Sequence, residues 1–381
     1  MLAMVVVLAR TTEGAALKRC LIISSLFAFA LVAPLGLVGD EGAAQATPSV
    51  NYPPRFFPKT LKLSDGSEWK YVVYLPPQYD NAPEHKWPVI LFLHGSGEVG
   101  TDNVRHTNIG LPRYIREHPD SFPFVVVMPQ VPTRWFRGRN GAAVLSILDS
   151  VMNEYSTDRD RVYLTGLSMG GFGAWEIACI QPDLFAAVVP VCGMAPNDFL
   201  SNITHMPVWA FHGEDDPNVP VAGSRQAVAE LRKHGAAPKY TEYPKGGHKI
   251  WDRAYGKKSL YRWLLEQRRE NAPKKIDYRI AGPLARVWWL TVRPEKGAVG
   301  KARIRAEISD DKTITLETQD VAAWSITCEE RPLKIGEPIK VVLNGALIYE
   351  GPFSGSMGYG WKLDDADPAG PATKPASTPA P

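Results

Sequence analysis

The chain has 381 residues, of which 45% are hydrophobic and 22% are charged, and its formal net charge at pH 7 is +3. This composition excludes wholesale disorder, and so small a charge without a concentrated basic stripe argues against nucleic acid as a partner. The length suffices for one large domain and one small domain.

Residues 1–46 have the pattern of an export signal. The basic pair Lys18-Arg19 precedes an apolar core from Leu21 to Val38, and Ala44-Gln45-Ala46 supplies a small-x-small cleavage site. We therefore predict an exported protein, secreted or periplasmic, that has no membrane association once the signal is cleaved. The alternative is an uncleaved membrane anchor, because the apolar core approaches the minimum length for a membrane span.

Residues 47–270 are predicted to form the larger domain, an α/β fold. Short apolar runs alternate there with helical patterns, which is typical of a mostly parallel sheet with crossover helices on both faces. The predicted strands are Lys70–Leu75, Val89–His94, Phe124–Pro129, Val162–Leu167, Ala187–Val191, Val208–His212 and Tyr240–Tyr243. The predicted helices are Ala142–Tyr155, Gly171–Ile180, Val221–His234 and Trp251–Gln267, and Asp158–Arg161 is predicted to be a solvated turn.

Residues 271–365 are predicted to form a small antiparallel β domain. Strand-like runs lie at Val287–Val292, Ala302–Ile308, Thr313–Thr318 and Lys340–Leu343, and Asn344-Gly345 is a strong hairpin signal. Trp288-Trp289 fits core packing with one exposed ring better than a carbohydrate platform. The tail, residues 366–381, is rich in Pro and Ala and is predicted to be disordered.

The most informative motif is Gly166-Leu167-Ser168-Met169-Gly170. An apolar, β-branched strand ends in this Gly-x-Ser-x-Gly sequence, and a helical pattern follows at once. A serine on so sharp a strand-to-helix turn is forced into a strained, exposed position, and a Cβ at either flanking glycine would strike a neighbouring element. Ser168 is therefore predicted to be a nucleophile.

A serine nucleophile needs a base, and the base needs an acid to orient it. An acidic loop with Asp215 and Asp216 follows the predicted strand 208–212, and His248 follows the next strand. We predict Asp216 as the acid, with Asp215 as a competing choice or both aspartates solvated in a turn. His248 is predicted as the base, because two glycines precede it and Trp251 can shield it from water.

An oxyanion hole requires two N–H donors aimed at the tetrahedral oxygen. Met169, directly after the nucleophile, supplies the first predicted donor, and either Gly97 or Ser96 supplies the second, with Gly97 slightly preferred. His94 and His212 each end a strand in a His-Gly pair, and we expect them to brace loop backbones.

The four cysteines predict no disulfide framework and no zinc site. Cys20 lies in the predicted signal, and none of Cys179, Cys192 and Cys328 has Cys-x-x-Cys spacing. Cys179 and Cys192 are expected to be buried small hydrophobes, although one bridge between them is an alternative in an oxidising compartment. No metal and no cofactor are expected.

Four motifs together resemble the α/β-hydrolases. They are Leu93-His94-Gly95-Ser96-Gly97-Glu98, the Gly166–Gly171 stretch, His212-Gly213-x-x-Asp216-x-x-Val219-Pro220, and Gly247-His248. The chain is similar to the phospholipase/carboxylesterase and predicted-peptidase group, which includes secreted feruloyl and acetyl xylan esterase-like enzymes. The resemblance implies ester hydrolysis through an acyl-enzyme on Ser168 without a metal. Because no long lid insertion separates Val191 from Val208, a true lipase is disfavoured.

The loop that contains Trp135 and Arg137 follows a predicted strand end, where ligands bind in such sheets. These side chains, with Trp251, are candidate substrate contacts: they suit a sugar or phenolic ring or a carboxylate, and a plain basic surface loop is the alternative. The leading hypothesis is an exported serine esterase acting on small-molecule or polysaccharide esters. The alternatives are a serine peptidase of prolyl-oligopeptidase-like type and a non-catalytic carbohydrate-binding protein.

Overall fold

The fold is built around a twisted sheet of eight strands, seen in a computed structural model that describes residues 52–269, 272–327 and 333–361. The predicted signal 1–46, the residues Asn271 and Cys328, and the predicted tail 366–381 lie outside the described residues. Strand order in the sheet is β1-β2-β4-β3-β5-β6-β7-β8, and the last six strands of this order pair in parallel.

The strands of this sheet are β1 Phe56–Lys62, β2 Glu68–Tyr74, β3 Trp87–Leu93, β4 Val125–Pro129, β5 Thr157–Leu167, β6 Ala187–Val191, β7 Trp209–Gly213 and β8 Lys239–Tyr243. The α-helices are α1 Gly110–Glu117, α2 Arg139–Glu154, α3 Met169–Ile180, α4 Val221–Lys233, α5 Trp251–Tyr255 and α6 Lys258–Glu266. Every residue of β3, β4 and β6 is buried, as expected of strands covered on both faces.

All seven predicted strands of this region exist, within a few residues at either end. Two elements were not predicted, the antiparallel edge strand β1 and the short helix α1. The predicted turn at Asp158–Arg161 is wrong, because these residues belong to β5, where Asp158 pairs with Arg161 at 2.7 Å. The predicted helix Trp251–Gln267 is broken at Gly256 into α5 and α6.

The C-terminal region forms two further, mostly antiparallel sheets. Their strands are β9 Lys275–Arg279, β10 Ala285–Val287, β11 Leu290–Pro294, β12 Arg303–Ile308, β13 Thr313–Gln319, β14 Val321–Thr327, β15 Pro338–Leu343, β16 Ala346–Pro352 and β17 Ser356–Tyr359. One pairing departs from the antiparallel prediction, since β13 and β15 run in parallel.

Two hairpins in this region test the predicted turns. The hairpin at Asn344-Gly345 is confirmed: both residues have positive φ, 48° and 84°, and Leu343 pairs with Ala346. The continuous strand predicted at Val287–Val292 is wrong, because the chain reverses at Trp288-Trp289. Both indoles are buried, at 8% and 0% exposure, so neither ring is free to form a carbohydrate platform.

The β region contacts the α/β region through a small set of specific bonds. Asn202 is buried and makes two hydrogen bonds to the backbone of Arg279, each 2.9 Å long. Tyr278 Oη donates to Ile180 O at 3.0 Å, and Trp288 N donates to Asp183 Oδ2 at 2.8 Å. The domain boundary at residues 270/271 stays a prediction. Within the described ranges, no helix has the length and apolar character to cross a membrane.

Candidate active site

Ser168 occupies the sharp turn between β5 and α3. Its backbone is strained, with φ 53° and ψ −118°, and its N–H donates to Val191 O at 2.9 Å. A Cβ at Gly166 would lie 2.3 Å from Gly170 O, and a Cβ at Gly170 would lie 2.0 Å from Leu93 O. The two flanking glycines are therefore required by close backbone approach, as the motif predicted.

Three predicted site residues from separate loops form one hydrogen-bonded chain. His248 Nε2 lies 2.9 Å from Ser168 Oγ, and His248 Nδ1 lies 2.7 Å from Asp216 Oδ2. The three residues follow β5, β7 and β8, whose carboxyl ends meet at one edge of the sheet. These distances allow a proton to pass from the hydroxyl to the imidazole.

The environment of Asp216 favours the carboxylate form. Its side chain is fully buried, and Oδ1 accepts hydrogen bonds from the N–H groups of Asn218 and Val219 at 2.8 and 2.9 Å. Burial alone would raise the pKa of Asp216, but the hydrogen bonds from His248 and from these backbone donors hold the pKa below its ordinary value. The competing Asp215 is exposed.

A second imidazole packs against the same carboxylate. His212 Nε2 lies 3.3 Å from Asp216 Oδ2 and donates to Val219 O at 2.9 Å, while its Nδ1 lies 2.7 Å from Ser224 Oγ. Burial lowers the pKa of His212, so this buried ring is neutral at pH 7. His212 thus braces the loop that contains Asp216, as expected for a His-Gly pair at a strand end.

One group of three potential metal ligands among the described residues also lies at this site. One atom each of Cys192, His212 and Asp216 lies within 4.8 Å of the others. Cys192 is free and buried, its Sγ donates to His248 O at 3.3 Å, and burial raises its pKa to about 12. Since all three residues already make hydrogen bonds around the triad, we assign them to its support. Cys179 is likewise free, so the alternative of a bridge to Cys192 is wrong.

The glycine-rich loop after β3 lies beside the serine. His94 is buried, its Nδ1 donates to Gly95 O at 2.7 Å, and its Nε2 accepts from Val131 N at 3.1 Å, so the ring braces two loops. A Cβ at Gly95 would lie 2.9 Å from a Leu167 methyl carbon and 3.7 Å from Ser168 Cβ. The short 3-10 turn Ser96–Glu98 therefore starts against the nucleophile.

A cavity of about 430 Å³ opens over Ser168, within the usual size range of ligand sites. Its lining consists of Ser96, Arg134, Trp135, Ser168, Met169, Phe172, Asn218, Val219 and His248. The predicted donors Met169 and Ser96 are both in this set. Gly97 is not in this set, and a Cβ placed on it would meet no atom within 4 Å; which of the two residues supplies the second N–H stays a prediction.

The candidate substrate contacts separate into one cavity residue and two supporting residues. Trp135 lines the cavity and is 39% exposed. Arg137 instead pairs with Glu176 at 3.1 Å and lies over the Trp135 ring at 5.5 Å. Trp251 is buried behind the imidazole, with its ring edge-on to His248 at 5.5 Å, so it shields His248 and does not reach the cavity.

Sequence reasoning missed three residues of the lining, and it included a fourth, Arg134, only as part of the candidate loop 134–139. Phe172, Asn218 and Val219 are close in sequence to predicted triad residues, so sequence proximity could have indicated them. Phe172 follows Ser168 by one helical turn, and Asn218 and Val219 directly follow the acid loop. Arg134 adjoins Trp135, but nothing in the sequence separates it from the other arginines of its loop.

Comparison with known proteins points to one family. Residues 80–259 match the profile of a family described as Phospholipase/Carboxylesterase. The chain is 25% identical over 189 residues to the probable feruloyl esterase C of Aspergillus niger, which covers 48% of this chain and 68% of that protein. It is 27% identical over 152 residues to acetylxylan esterase A of Emericella nidulans, which covers 36% of this chain and 47% of that protein.

A solved structure described as a thermostable esterase is also similar. It is 36% identical, with a TM-score of 0.51, and the match covers 56% of this chain and 64% of that one. The chain thus spans 47% to 68% of the lengths of these three proteins. The α/β-hydrolase fold and the resemblance indicated by the motifs are confirmed.

Proposed function

We propose that the chain, whose residues 80–259 match the Phospholipase/Carboxylesterase profile, is a serine hydrolase of the α/β-hydrolase esterase group that cleaves carboxylic esters through an acyl-enzyme on Ser168. The observation that carries this proposal is the hydrogen-bonded chain from Asp216 through His248 to Ser168 at the floor of an open cavity. Each link is within hydrogen-bond distance, at 2.7 and 2.9 Å.

In the first step, Ser168 Oγ attacks the ester carbonyl carbon while His248 Nε2 accepts the hydroxyl proton. Asp216 stays ionised and stabilises the imidazolium that forms. The carbonyl oxygen becomes an oxyanion, and the backbone N–H groups of Met169 and Ser96 are our proposed donors to it. Met169 begins α3, so the positive end of the helix dipole adds to this stabilisation.

In the second half of the reaction, the tetrahedral intermediate collapses and the C–O bond to the alcohol breaks. The alcohol leaves with the proton held on His248, and the acyl group remains on Ser168. Water then enters, His248 takes one of its protons, and the oxygen attacks the acyl carbon. Collapse returns the proton to Ser168 Oγ and releases the carboxylic acid, so atoms and charge balance over the cycle.

We propose acyl esters of polysaccharides as the natural substrate class. The names of the two fungal relatives, a feruloyl esterase and an acetylxylan esterase, support this class. Trp135 supports it too, since it lines the cavity with Ser168 and is 39% exposed, and an aromatic ring is a suitable surface for a sugar or phenolic ring. The partner is then an ester substrate, with no cofactor in the proposed chemistry.

We also propose that the protein acts outside the cytoplasm. The support is the basic, apolar and small-x-small pattern of residues 1–46 and a 22% identical relative from Arthroderma benhamiae described as an uncharacterized secreted protein. Mass spectrometry of the protein purified from its exported fraction tests this. A mature N-terminus at Thr47 agrees with export, and an intact N-terminus on a membrane-bound chain contradicts it.

Covalent labelling tests the proposed enzyme class. A fluorophosphonate probe is expected to add to Ser168, as located by peptide mass spectrometry, and to leave a Ser168→Ala variant unlabelled. Turnover is then measured with p-nitrophenyl acetate, methyl ferulate, acetylated xylan and peptide anilides. Folded protein without an adduct would favour the non-catalytic carbohydrate-binding alternative, and turnover of the anilides alone would favour the peptidase.

A further inference from the structure

Three arginines lie at positions 134, 137 and 139, the first two in the loop between β4 and α2 and the third at the first residue of α2, and among the described residues only Arg134 has no carboxylate partner. Arg137 pairs with Glu176 at 3.1 Å, and Arg139 pairs with Asp65 at 2.6 Å. Throughout the described ranges, no carboxylate lies within 4.0 Å of the Arg134 guanidinium. Arg134 is exposed and lines the cavity above Ser168, so its charge is available to a ligand.

The rest of the cavity wall does not neutralise this charge. None of the described residues that line it is a Glu or an Asp, and the charged or titratable ones are Arg134 and His248. The nearest carboxylate of the proposed machinery, Asp216, is fully buried and engaged by His248 at 2.7 Å. A cavity lined by one sign of charge raises the local concentration of ligands of the opposite sign.

The backbone beside Arg134 is held in place by its neighbour. Trp135 has a strained φ of 79°, its N–H donates to Met169 Sδ at 3.2 Å, and its carbonyl accepts from Asn140 Nδ2 at 2.7 Å. Its ring meets Phe172 edge-on at 5.6 Å. Such preorganisation reduces the entropy lost on binding, so the indole face and the adjacent guanidinium can act as one recognition surface.

We propose that this site prefers esters that carry a carboxylate, and that Arg134 is the residue that selects them. The proposal rests on the proposed function, since it concerns the substrate of the same site. A guanidinium presents parallel N–H donors that match a carboxylate, while the indole of Trp135 takes a ring. The anion can lie on the alcohol side, as in an acylated acidic sugar, or on the acyl side, as in a half-ester of a dicarboxylic acid.

Two matched pairs of synthetic esters distinguish these sources of the anion. For the alcohol side, 4-acetoxybenzoate is compared with 4-acetoxybenzamide. For the acyl side, mono-p-nitrophenyl adipate is compared with p-nitrophenyl hexanoate. The measured quantity is kcat/KM for the anionic ester divided by kcat/KM for its neutral partner, so that differences in intrinsic reactivity cancel between enzyme variants.

In Arg134→Gln we expect this ratio to fall about tenfold for at least one pair, which corresponds to ~1.4 kcal/mol. Arg134→Lys, which keeps the charge but loses the planar fork, should fall by less. Arg139→Gln, at the first residue of α2 and paired with Asp65, is the matched control and should keep the original ratio. Added salt should lower the ratio of the original enzyme and leave that of Arg134→Gln unchanged.

The four esters and the fluorophosphonate probe together distinguish a wrong specificity from a wrong enzyme class. If Arg134→Gln hydrolyses the neutral esters and both ratios equal those of the original enzyme, the proposed specificity is overturned and the esterase assignment stands. If the original enzyme hydrolyses none of the four esters and Ser168 takes no fluorophosphonate, the proposed function fails and this inference fails with it.

Discussion

The backbone N–H of Asp215 donates to the carbonyl oxygen of Gly246 at 2.8 Å and so joins the acid loop to the base loop. The N–H of Glu214, the residue before Asp215, donates to Tyr243 O at 3.1 Å. These bonds fix the loop after β7 against the loop after β8. Asp216 directly follows Asp215, and His248 lies two residues after Gly246. The bonds between the two loops therefore hold the acid and the base at a fixed separation.

This relationship separates the roles of the two aspartates. Asp216→Asn is expected to lower kcat about 10⁴-fold, because an amide cannot stabilise the imidazolium and favours the wrong tautomer of His248. Asp215→Asn keeps the backbone N–H, changes an exposed side chain, and should stay within about twofold of the original kcat. Steady-state turnover of p-nitrophenyl acetate checks both. Loss of activity in Asp215→Asn alone would reverse our assignment of the acid.

Removal of the nucleophile or the base should abolish turnover. Ser168→Ala and His248→Ala are each expected to lower kcat by about 10⁴-fold or more, and the double variant should lose little beyond either single one, because the residues act as a unit. Steady-state hydrolysis of p-nitrophenyl acetate measures kcat of the single and double variants, and circular dichroism shows whether each variant keeps its fold. Multiplicative losses in the double variant would argue against a common catalytic chain.

The proposed second oxyanion donor is a backbone group, so only proline removes it. Ser96 is the first residue of its 3-10 turn, and Gly95 before it is extended, with φ −81° and ψ 179°, so proline fits at this position. Ser96→Pro should lower kcat by about 10²-fold or more, with a smaller effect on KM.

Ser96→Ala is the matched control for this variant, because it deletes the hydroxyl but retains the N–H. It should remain within about threefold of the original kcat, as expected for a modest surface change. An equal loss in Ser96→Ala and Ser96→Pro would show that the hydroxyl matters, and full activity of Ser96→Pro would transfer the donor role to Gly97.

Buried neutral histidines should make the fold sensitive to acid. Burial lowers the pKa of His94 from 6.5 to about 4. Below pH 6.5, His94 is protonated in the unfolded chain but stays neutral in the folded chain. The free energy of unfolding therefore falls as the pH drops from 6.5 toward 4. Between pH 8 and pH 5 this site alone should lower the free energy of unfolding by about 2 kcal/mol.

His94→Gln is expected to remove that part of the pH dependence, since glutamine can accept from Val131 N but does not titrate. Urea unfolding of both proteins at pH 8 and pH 5 measures the difference. The same slope in the two proteins would mean that His94 does not resist protonation in the folded state.

The contact between the α/β and β regions should depend on one buried amide. Asn202 donates to Cys179 O and Arg279 O and accepts from Arg279 N, each at 2.9 Å. Asn202→Ala leaves buried backbone groups without partners, and each costs about 1–3 kcal/mol, so we expect a loss of at least ~2 kcal/mol in unfolding free energy.

Asp198→Asn is the control for this variant. It removes the charge from an exposed ion pair with Arg279, 4.0 Å long, in the same contact, and should change stability by less than about 1 kcal/mol. Equal stability losses in the two variants, measured by thermal unfolding, would contradict a dominant role for Asn202.

The local sequence pattern predicted the sheet well, because the burial of each strand is reflected in the hydrophobicity of its own residues. The continuous apolar runs of β3, β4 and β6 predicted buried parallel strands, and Asn344-Gly345 predicted its hairpin from the positive φ that these two residues tolerate. Trp288-Trp289 was predicted wrongly as strand interior. Apolar residues at a tight turn look like strand in sequence, and only packing on both sides of the turn buries both rings.

For the candidate active site, too, some features were predictable from local sequence and others depended on the tertiary structure. The sequence by itself predicted the side chains that we propose for the chemistry, because the strained turn at Ser168 and the loops with Asp216 and His248 are local patterns that follow the strands β5, β7 and β8. Only the tertiary structure decided three contacts. Asp216 rather than Asp215 meets the imidazole, and Ser96 rather than Gly97 lines the cavity. Among the described residues, Arg134, unlike Arg137 of the same loop, has no carboxylate within 4.0 Å. These outcomes depend on distances between segments far apart in sequence, and such distances are set by the packing of the whole sheet.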